Sequence, residues 1–573
     1  MKIKKYLTLL AAASLVTACD LDKIPEGDTV LQEQKDEITK LDPAKISGDI
    51  NSMKAVMTEL LDPDEGWGHT GFGVPAIALF TDCSGQDMVS EDDGYNWFST
   101  GLVFRDRINT ARTNQLIWKT HYKHIKAAND LLKVLYTGKD VAEIKDETAN
   151  YVGQALASRA YDYLQLIQYY QFTYLGHENA PGLPMVLETM TQEQAVNNPR
   201  VTVQAVYDQI MKDLNQAIAF MEEYPMTQAD KGQISTGVAY GLRARANMLM
   251  GKYAEAAKDA EMALAKSGAT PYTIEQLASK PMFVNARAEQ SWLWGIVITK
   301  QDAVVKSGIV NYPSHLCSMT GNGYTTGTGV DVVYKRINSN LYNTMDKSDV
   351  RRGWFVINGK EHTVINEKGD TVKHYFDTTS PILLNAFGND STSLSGATVG
   401  NRWAANPRTY GMGLYPQYTN VKFGPEEDKL MNATNAQDWP LMRAEEMLLI
   451  KAEAIGRAQG VAAGKAALED FVKTYRAPEY TCKAANLEDF INEVWNQRRI
   501  ELWGEGFSLL DVLRLKKPII RKGANFSPNV TYEDLPAESP IFIFNIPEIE
   551  TSVNKGISED NINEVAVPPV AIM

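Results

Sequence analysis

Glu488–Lys517 reads EDFINEVWNQRRIELWGEGFSLLDVLRLKK, and its pattern decides the fold class. Ile491, Val494, Trp495, Arg498 and Leu502 recur at steps of three and four, one stripe on a 3.6-residue period. Gly504 and Gly506 interrupt that period, and Phe507, Leu510 and Leu513 restart it as a shorter helix. Arg498, Arg499, Glu501, Glu505, Asp511 and Arg514 stand among these apolar residues. Charges packed that densely on a helical face pair with one another, because an unpaired buried charge is costly. The stretch predicts a helix–turn–helix, and it speaks to fold rather than to a reaction.

Helical periodicity returns along the chain. Trp118, Tyr122, Ile125, Ala128, Leu132 and Leu135 form one stripe; Ala157, Ala160, Leu164 and Ile167 form a second. Thr202 is placed to cap a third helix with the face Val206, Ile210, Leu214, Ala217 and Met221. Ala239, Leu242, Ala246 and Leu249 lead into Gly251-Lys252-Tyr253, after which Ala256, Ala257, Ala260 and Leu264 continue. Two helices of small residues around a Gly-x-Tyr turn resemble a tetratricopeptide repeat, since small side chains let the helices approach closely. Ala444, Leu448, Ala452 and Ile455, then Gly460 and a helix through Leu468 and Phe471, repeat the arrangement. The expected fold is mainly α, a tetratricopeptide-like helix-pair scaffold over 110–270 and 436–520. A large loop-rich insertion carrying short strands completes it. Residues 62–110 and 300–435, rich in Gly, Asp and aromatics, read as loop-rich regions, and loops of that size tend to be functional.

The N-terminus carries an address. Lys2, Lys4 and Lys5 precede an apolar run from Tyr6 to Thr17, too short for the roughly 20 residues that span a bilayer. Leu15-Val16-Thr17-Ala18-Cys19 resembles a bacterial lipoprotein signal, cut before an acylated Cys19; each buried acyl CH₂ contributes about 0.8 kcal/mol to membrane anchoring. The domain reading is therefore signal peptide 1–18, flexible tether 19–40 and one domain 41–573. Loss of residues 1–18 removes three lysines and no acid, taking the formal charge from −14 to −17. Such a chain is a poor binder of nucleic acid or of anionic lipid. Cys83, Cys317 and Cys482 remain, an odd number that allows at most one disulfide and contains no CxxC pair.

Several segments in one order resemble the SusD/RagB-like nutrient-uptake lipoproteins. Trp118 to Leu132 is similar to their W…Y..I..AN.LL helix, and Ala157-x-Arg159-Ala160-Tyr161-x-Tyr163-Leu164 to their aRA.aYf.L helix. Gly182-Leu183-Pro184-Met185-Val186 with Pro199 to Tyr207, Asp349-Val350-Arg351-Arg352, and Trp439 to Glu446 with Ala452-Glu453-Ala454 continue the series. The opening stretch resembles their RR.EL..EG segment, and Ile546-Pro547-x-x-Glu550 their closing iP..Ei. Phe507-Ser508-Leu509 departs from the basic or aromatic pair that often follows the EG. The resemblance implies an outer-membrane surface lipoprotein that captures oligomeric nutrients. These are most often glycans and in some members peptides, passed without catalysis to a SusC-like TonB-dependent transporter.

Sugar recognition needs flat apolar faces for CH groups and polar groups for hydroxyls. The first loop region offers Tyr95, Asn96 and Trp97 with Asp82 and Asp87 nearby; the second offers Tyr312, Tyr324 and Asn401-Arg402-Trp403. Trp97 stands out because it lies in a polar loop without apolar periodicity, whereas Trp118, Trp439, Trp495 and Trp503 lie on helical stripes and read as core. His121 and His124 lack a third metal ligand in their segment. No GxSxG, Walker A or HExxH pattern is present, and neither a metal nor a cofactor is expected. A lipoprotein glycosidase or peptidase and a protein-binding repeat scaffold are the competing classes, since paired carboxylates are a spatial feature that sequence does not reveal.

Overall fold

The computed structural model describes residues 43–61, 66–91, 96–137, 143–144, 148–228, 230–279, 290–316, 334–355, 357–365, 371–376, 417–423, 436–532, 535–558, 561–563 and 569. The chain divides after Gly48. Of the first unit only the start of helix α1 (Pro43–Val56) is described, and everything below concerns the second.

The protein is mainly helical. After α1 come α2 (Val74–Ser84), α3 (Arg112–Leu135), α4 (Thr148–Tyr170), α5 (Val203–Glu223), α6 (Thr236–Leu249) and α7 (Tyr253–Ser267). A second block holds α8 (Ala444–Gln459), α9 (Val461–Tyr475), α10 (Leu487–Glu501) and α11 (Ser508–Arg514). Sequence neighbours pack on one another from α3 to α7, and α7 then packs on α8, so one helix array continues although residues 268–443 separate the two blocks in sequence. Thr202 caps α5 by accepting from the Ala205 amide, as its hydroxyl predicts. Arg159 ties three helices, with Nε and Nη2 each 2.8 Å from Asp213 of α5 and Nη1 2.8 Å from Asn129 of α3.

The strands are short and form two-stranded antiparallel sheets among the described residues. β1 (Met88–Val89) pairs with β5 (Arg336–Ile337), β2 (Pro181–Pro184) with β3 (Arg200–Thr202), β4 (Trp292–Ile296) with β8 (Trp439–Arg443), and β6 (Asn358–Ile365) with β7 (Thr371–Phe376). β1–β5 joins the two loop-rich regions directly.

The loop-rich residues 62–110 also hold a helix, α2, with every residue buried. A helix enclosed on all sides, VPAIALFTDCS, has no polar face and so no 3.6-residue alternation for a sequence reading to find.

The quoted hairpin forms as its pattern predicts, α10, a turn and α11. Gly504 and Gly506 take φ of +79° and +83°. A Cβ on Gly506 would come within 2.8 Å of Ala78 Cβ in α2. Two of its charges, Glu501 and Glu505, join those of distant motifs in one buried cluster, while Arg498 and Arg514 pair with Asp511 and Arg499 with Asp87. Glu501 accepts from Arg476 Nε (2.7 Å) and Nη2 (2.9 Å), Arg351 Nη1 (3.2 Å) and Arg443 Nη1 (3.3 Å). Glu505 accepts two 2.8 Å bonds from Arg443 and one from Lys422. Glu445 accepts from Arg476 at 2.9 Å, and Asp349 from Arg351 at 2.7 and 3.0 Å. Asp349, Glu445, Glu501 and Glu505 thus face Arg351, Arg443, Arg476 and Lys422, a neutral set. Burial opposes the Glu501 charge, yet Arg476, Arg443 and Arg351 hold its carboxyl well below the usual carboxylate range. Burial pulls the Lys422 ammonium down to about 8, with Glu505 opposing.

Candidate ligand-binding surface

The described candidates separate by burial. Asp82, in the last turn of α2, is buried and accepts the backbone N–H of Gly506 (2.9 Å) and of Ser508 (3.1 Å). Burial pushes its carboxyl up to about 7, against those two bonds. Tyr312 is also buried, and its hydroxyl donates to the Gly504 carbonyl. Asp87 accepts from Arg499 Nε and Ser508 Oγ, at 2.8 and 2.9 Å. These three polar groups brace the hairpin turn instead of facing solvent. The departure at Ser508 has its reason here: a Cβ on Gly85 would sit 2.0 Å from Ser508 Oγ, so the residue after Phe507 has little room.

Asn96 is buried as well, and its groups are used locally. Its amide donates to Ser90 Oγ (3.1 Å), and its carbonyl accepts from the Phe98 amide (3.2 Å) and from Lys335 Nζ (3.1 Å). It therefore fixes the backbone on both sides of Trp97. Trp97 itself is 40% exposed. Its indole lies 4.6 Å from the His69 ring, tilted by 39°. Beneath them His315 stacks on Phe72 (5.5 Å, 9°) and meets Phe98 edge-on at 5.0 Å, so the surface pair rests on buried aromatics. Burial lowers the His69 imidazole below its ordinary value and lowers His315 well below it, which keeps the column uncharged. Trp67 extends the surface, with Lys119 Nζ 5.2 Å from its ring. The result is an aromatic platform held by a packed base. Its exposed indole has the flat apolar face that sugar CH groups require.

Trp97, Asn96, Lys335 and His315 bring the first loop region against the second. Tyr95, Tyr324, Arg402 and Trp403 lie outside the described residues, as do Cys19 and Cys317. His69 and Lys119 escaped the sequence reading. His69 stands in the Gly66-Trp67-Gly68-His69 run, whose aromatic and glycine content was the available signal. Trp118 is buried on its helical stripe and Trp495 is partly buried; Trp439 and Trp503 are also buried, but Trp439 lies in strand β8 and Trp503 in the turn after α10 instead of on helices.

The remaining polar clusters have interior roles. His121 donates or accepts at Asp162 Oδ1 (2.8 Å), and His124 Nδ1 lies 2.8 Å from Oδ2 of the same carboxylate. Among the described residues no three His, Cys, Asp or Glu side chains are grouped to hold a metal ion. Cys83 and Cys482 are buried free thiols.

Residues 77–247 match a SusD-like family described as "Starch-binding associating with outer membrane", and residues 331–558 match the SusD family. The chain belongs to the SusD/RagB-like family. Solved structures agree in fold. A SusD-like carbohydrate binding protein from Bacteroides vulgatus ATCC 8482 has a TM-score of 0.65 and 20% identity, over 91% of this chain and 98% of that one. A SusD superfamily protein from Bacteroides thetaiotaomicron VPI-5482 has a TM-score of 0.62 and 18% identity, over 90% and 98%. A laminarin-binding SusD-like protein has a TM-score of 0.56 and 17% identity, over 90% and 98%. No curated protein matches the chain. In this SusD/RagB-like protein the motif residues Arg351, Arg443, Glu445, Glu501 and Glu505 all enter the buried cluster, and Glu550 of the closing motif accepts from Trp118 Nε1 at 3.2 Å. The residues that mark the SusD/RagB-like family face inward, and the platform is built from others.

Proposed function

We propose that this protein is a surface lipoprotein of the outer membrane, anchored through acylated Cys19, that binds glycan oligomers and delivers them to a SusC-like TonB-dependent transporter. It breaks no bond in its ligand. The observation that carries the reading is Trp97, an exposed indole on a polar loop whose backbone is pinned by Asn96 and whose base is packed by His69, His315, Phe72 and Phe98. An apolar face held rigid in water is prepaid for stacking, since little side-chain freedom remains to be lost on binding. Family membership, the carbohydrate-binding relative and the laminarin-binding relative support a glycan as the ligand.

The test is a binding screen of the mature chain, beginning at Asp20, against soluble polysaccharides and peptide mixtures. Glycan binding without shortened products, lost on Trp97→Ala with an unchanged melting temperature, is the expected result. Loss of a single stacking platform corresponds to about 1–2 kcal/mol, roughly a tenfold weaker Kd. Shorter oligosaccharides after incubation would turn the reading toward a glycosidase, and peptide binding alone toward the peptide-binding branch of the family. Co-purification with a large β-barrel from outer membranes tests the transporter.

A further inference from the structure

A groove of about 620 Å³ adjoins the platform. Asn51, which is exposed, stands in its polar lining with Lys54, Glu59, Lys123, Asp230, Thr299 and Asp302. It begins where the platform ends. Lys123 lies one helical turn, about 5.4 Å, beyond Lys119, whose ammonium sits over Trp67. Leu60 lines the groove, and the next residue, Leu61, donates its amide to the Gly71 carbonyl at 2.8 Å, beside Trp67. Gly68 joins Trp67 to Trp97, a Cβ there falling 3.3 Å from the Trp97 ring. Lys123 of α3 and the Leu60–Leu61 step therefore set the groove beside the platform.

The lining suits hydroxyl groups. Asp230 is held by the Gly232 amide (2.7 Å) and by Lys54 (3.3 Å), and Asp302 by the Thr299 hydroxyl (3.1 Å). Lys123 donates to Glu59. Each carboxylate keeps acceptor sites beyond these bonds, and each ammonium keeps donors. The Lys54–Asp230 and Lys123–Glu59 side chains are a quarter to nearly a half exposed, so they are within reach of a ligand. Two ammonium groups stand against three carboxylates, a balance that gives a polyanion no attraction. The volume lies within the roughly 300–1,000 Å³ of ordinary ligand sites.

We propose that this groove is a second subsite, taking the further units of a neutral oligosaccharide whose one ring stacks on Trp97. The proposal rests on the glycan reading above and adds a length requirement and a charge class to it. Two linked subsites bind a chain that spans both far more tightly than one that fills either alone.

Calorimetric titration of the mature chain decides the matter. The probes are laminari-, malto- and xylo-oligosaccharides from disaccharide to octasaccharide, with oligogalacturonates of the same lengths as charged counterparts. Affinity should climb with length in a neutral series and stay weak for the oligogalacturonates. Asn51→Trp, which fills the groove from an exposed position, and Asn51→Ala/Lys123→Ala should each weaken the longest ligands by about tenfold while leaving the shortest detectable ones unchanged. Trp97→Ala should weaken all lengths. Groove variants that bind the longest ligands as the native protein does, or preferential binding of oligogalacturonate, would overturn the second subsite while the platform reading stands. A native protein that binds none of the series, or Trp97→Ala binding as native, would overturn the platform reading itself.

Discussion

Glu501→Gln tests the buried cluster with almost no change of shape. The carboxylate meets three guanidinium groups, those of Arg476, Arg351 and Arg443, and the side chains involved are fully enclosed. The amide retains one acceptor oxygen but turns two donors toward donors, and it removes one negative charge. Three acids then face four cations. Removing one partner of a buried pair costs about 3–5 kcal/mol, chiefly the stranded charge. Lys422 limits that cost. Its ammonium is already drawn down to about 8, so near neutral pH its release to solvent requires only about 1.4 kcal/mol, after which the cluster is neutral again. A neutral amine still donates to the Glu501 and Trp503 carbonyls, both 2.8 Å away. The destabilisation should therefore sit near 3 kcal/mol at neutral pH and shrink as the pH rises.

With unfolding entropy near 2.1 cal/mol/K per residue, 1 kcal/mol moves the melting temperature of a chain this long by roughly 1 °C. Scanning calorimetry across a pH series should show Glu501→Gln melting about 3 °C below the native protein near pH 7, with a smaller gap near pH 9. Adding Lys422→Met should recover about 1–3 kcal/mol of the loss, the coupling expected of side chains in one network. A gap that does not narrow with pH, together with additive effects in the double variant, would show that the cluster's charges are not balanced against one another.

Asp82 offers a second pH test. Its folded pKa is raised from an ordinary 3.8 to about 7, so its contribution to stability is complete below about pH 4 and is lost as the pH rises through 7. Asp82→Asn should flatten that part of the stability profile, and it should lower the plateau by about 1–3 kcal/mol because only one of the two amides keeps an acceptor. Acid acts in the opposite sense through Glu453, whose carboxyl Arg514 and Arg457 hold down to about 2 despite burial. Its stabilisation is present above the ordinary value of 4.5 and disappears as the pH falls through 2, so Glu453→Gln should weaken the protein at neutral pH but change little in strong acid, as read by chemical denaturation. Gly506→Ala adds a methyl against Ala78 at a φ of +83° and should cost at least 1–3 kcal/mol; a melting temperature equal to native would show that α2 yields to the turn.

The helical scaffold was legible because its information is local. Stripes at three and four residues, the Thr202 cap and the Gly-x-Tyr turn each signal within one helix what that helix does. α2 was not legible, since a helix buried on every side carries no contrast between faces. The polar candidates show the same limit from another direction. Asp82, Asn96 and Tyr312 are the residue types that bind sugars, set in segments without periodicity, and nothing nearby in sequence separates them from Trp97. What separates them is partners from distant positions, Gly506, Lys335 and Gly504, which claim their hydrogen bonds and take them out of solvent.

That division has a physical consequence for how far family membership informs ligand choice. The motif residues satisfy one another in a closed set of opposite charges, so each is constrained by the others and none is available to a ligand. Trp97, His69 and Trp67 meet a looser requirement. They rest on a base supplied by Phe72, Phe98 and His315, and Trp97 is 40% exposed above it, outside the buried charge cluster. A change at Trp97 can therefore alter recognition while the cluster, and with it the fold, is left intact. The converse does not hold, because loss of Glu501 takes one carboxylate from each of three arginines, leaving them only Asp349, Glu445 and Glu505, beside the turn that Asp82 and Tyr312 brace, and that turn packs against α2, whose C-terminal end leads to β1 and the platform. Substitutions in the cluster should accordingly weaken binding and stability together, whereas those on the platform should weaken binding alone.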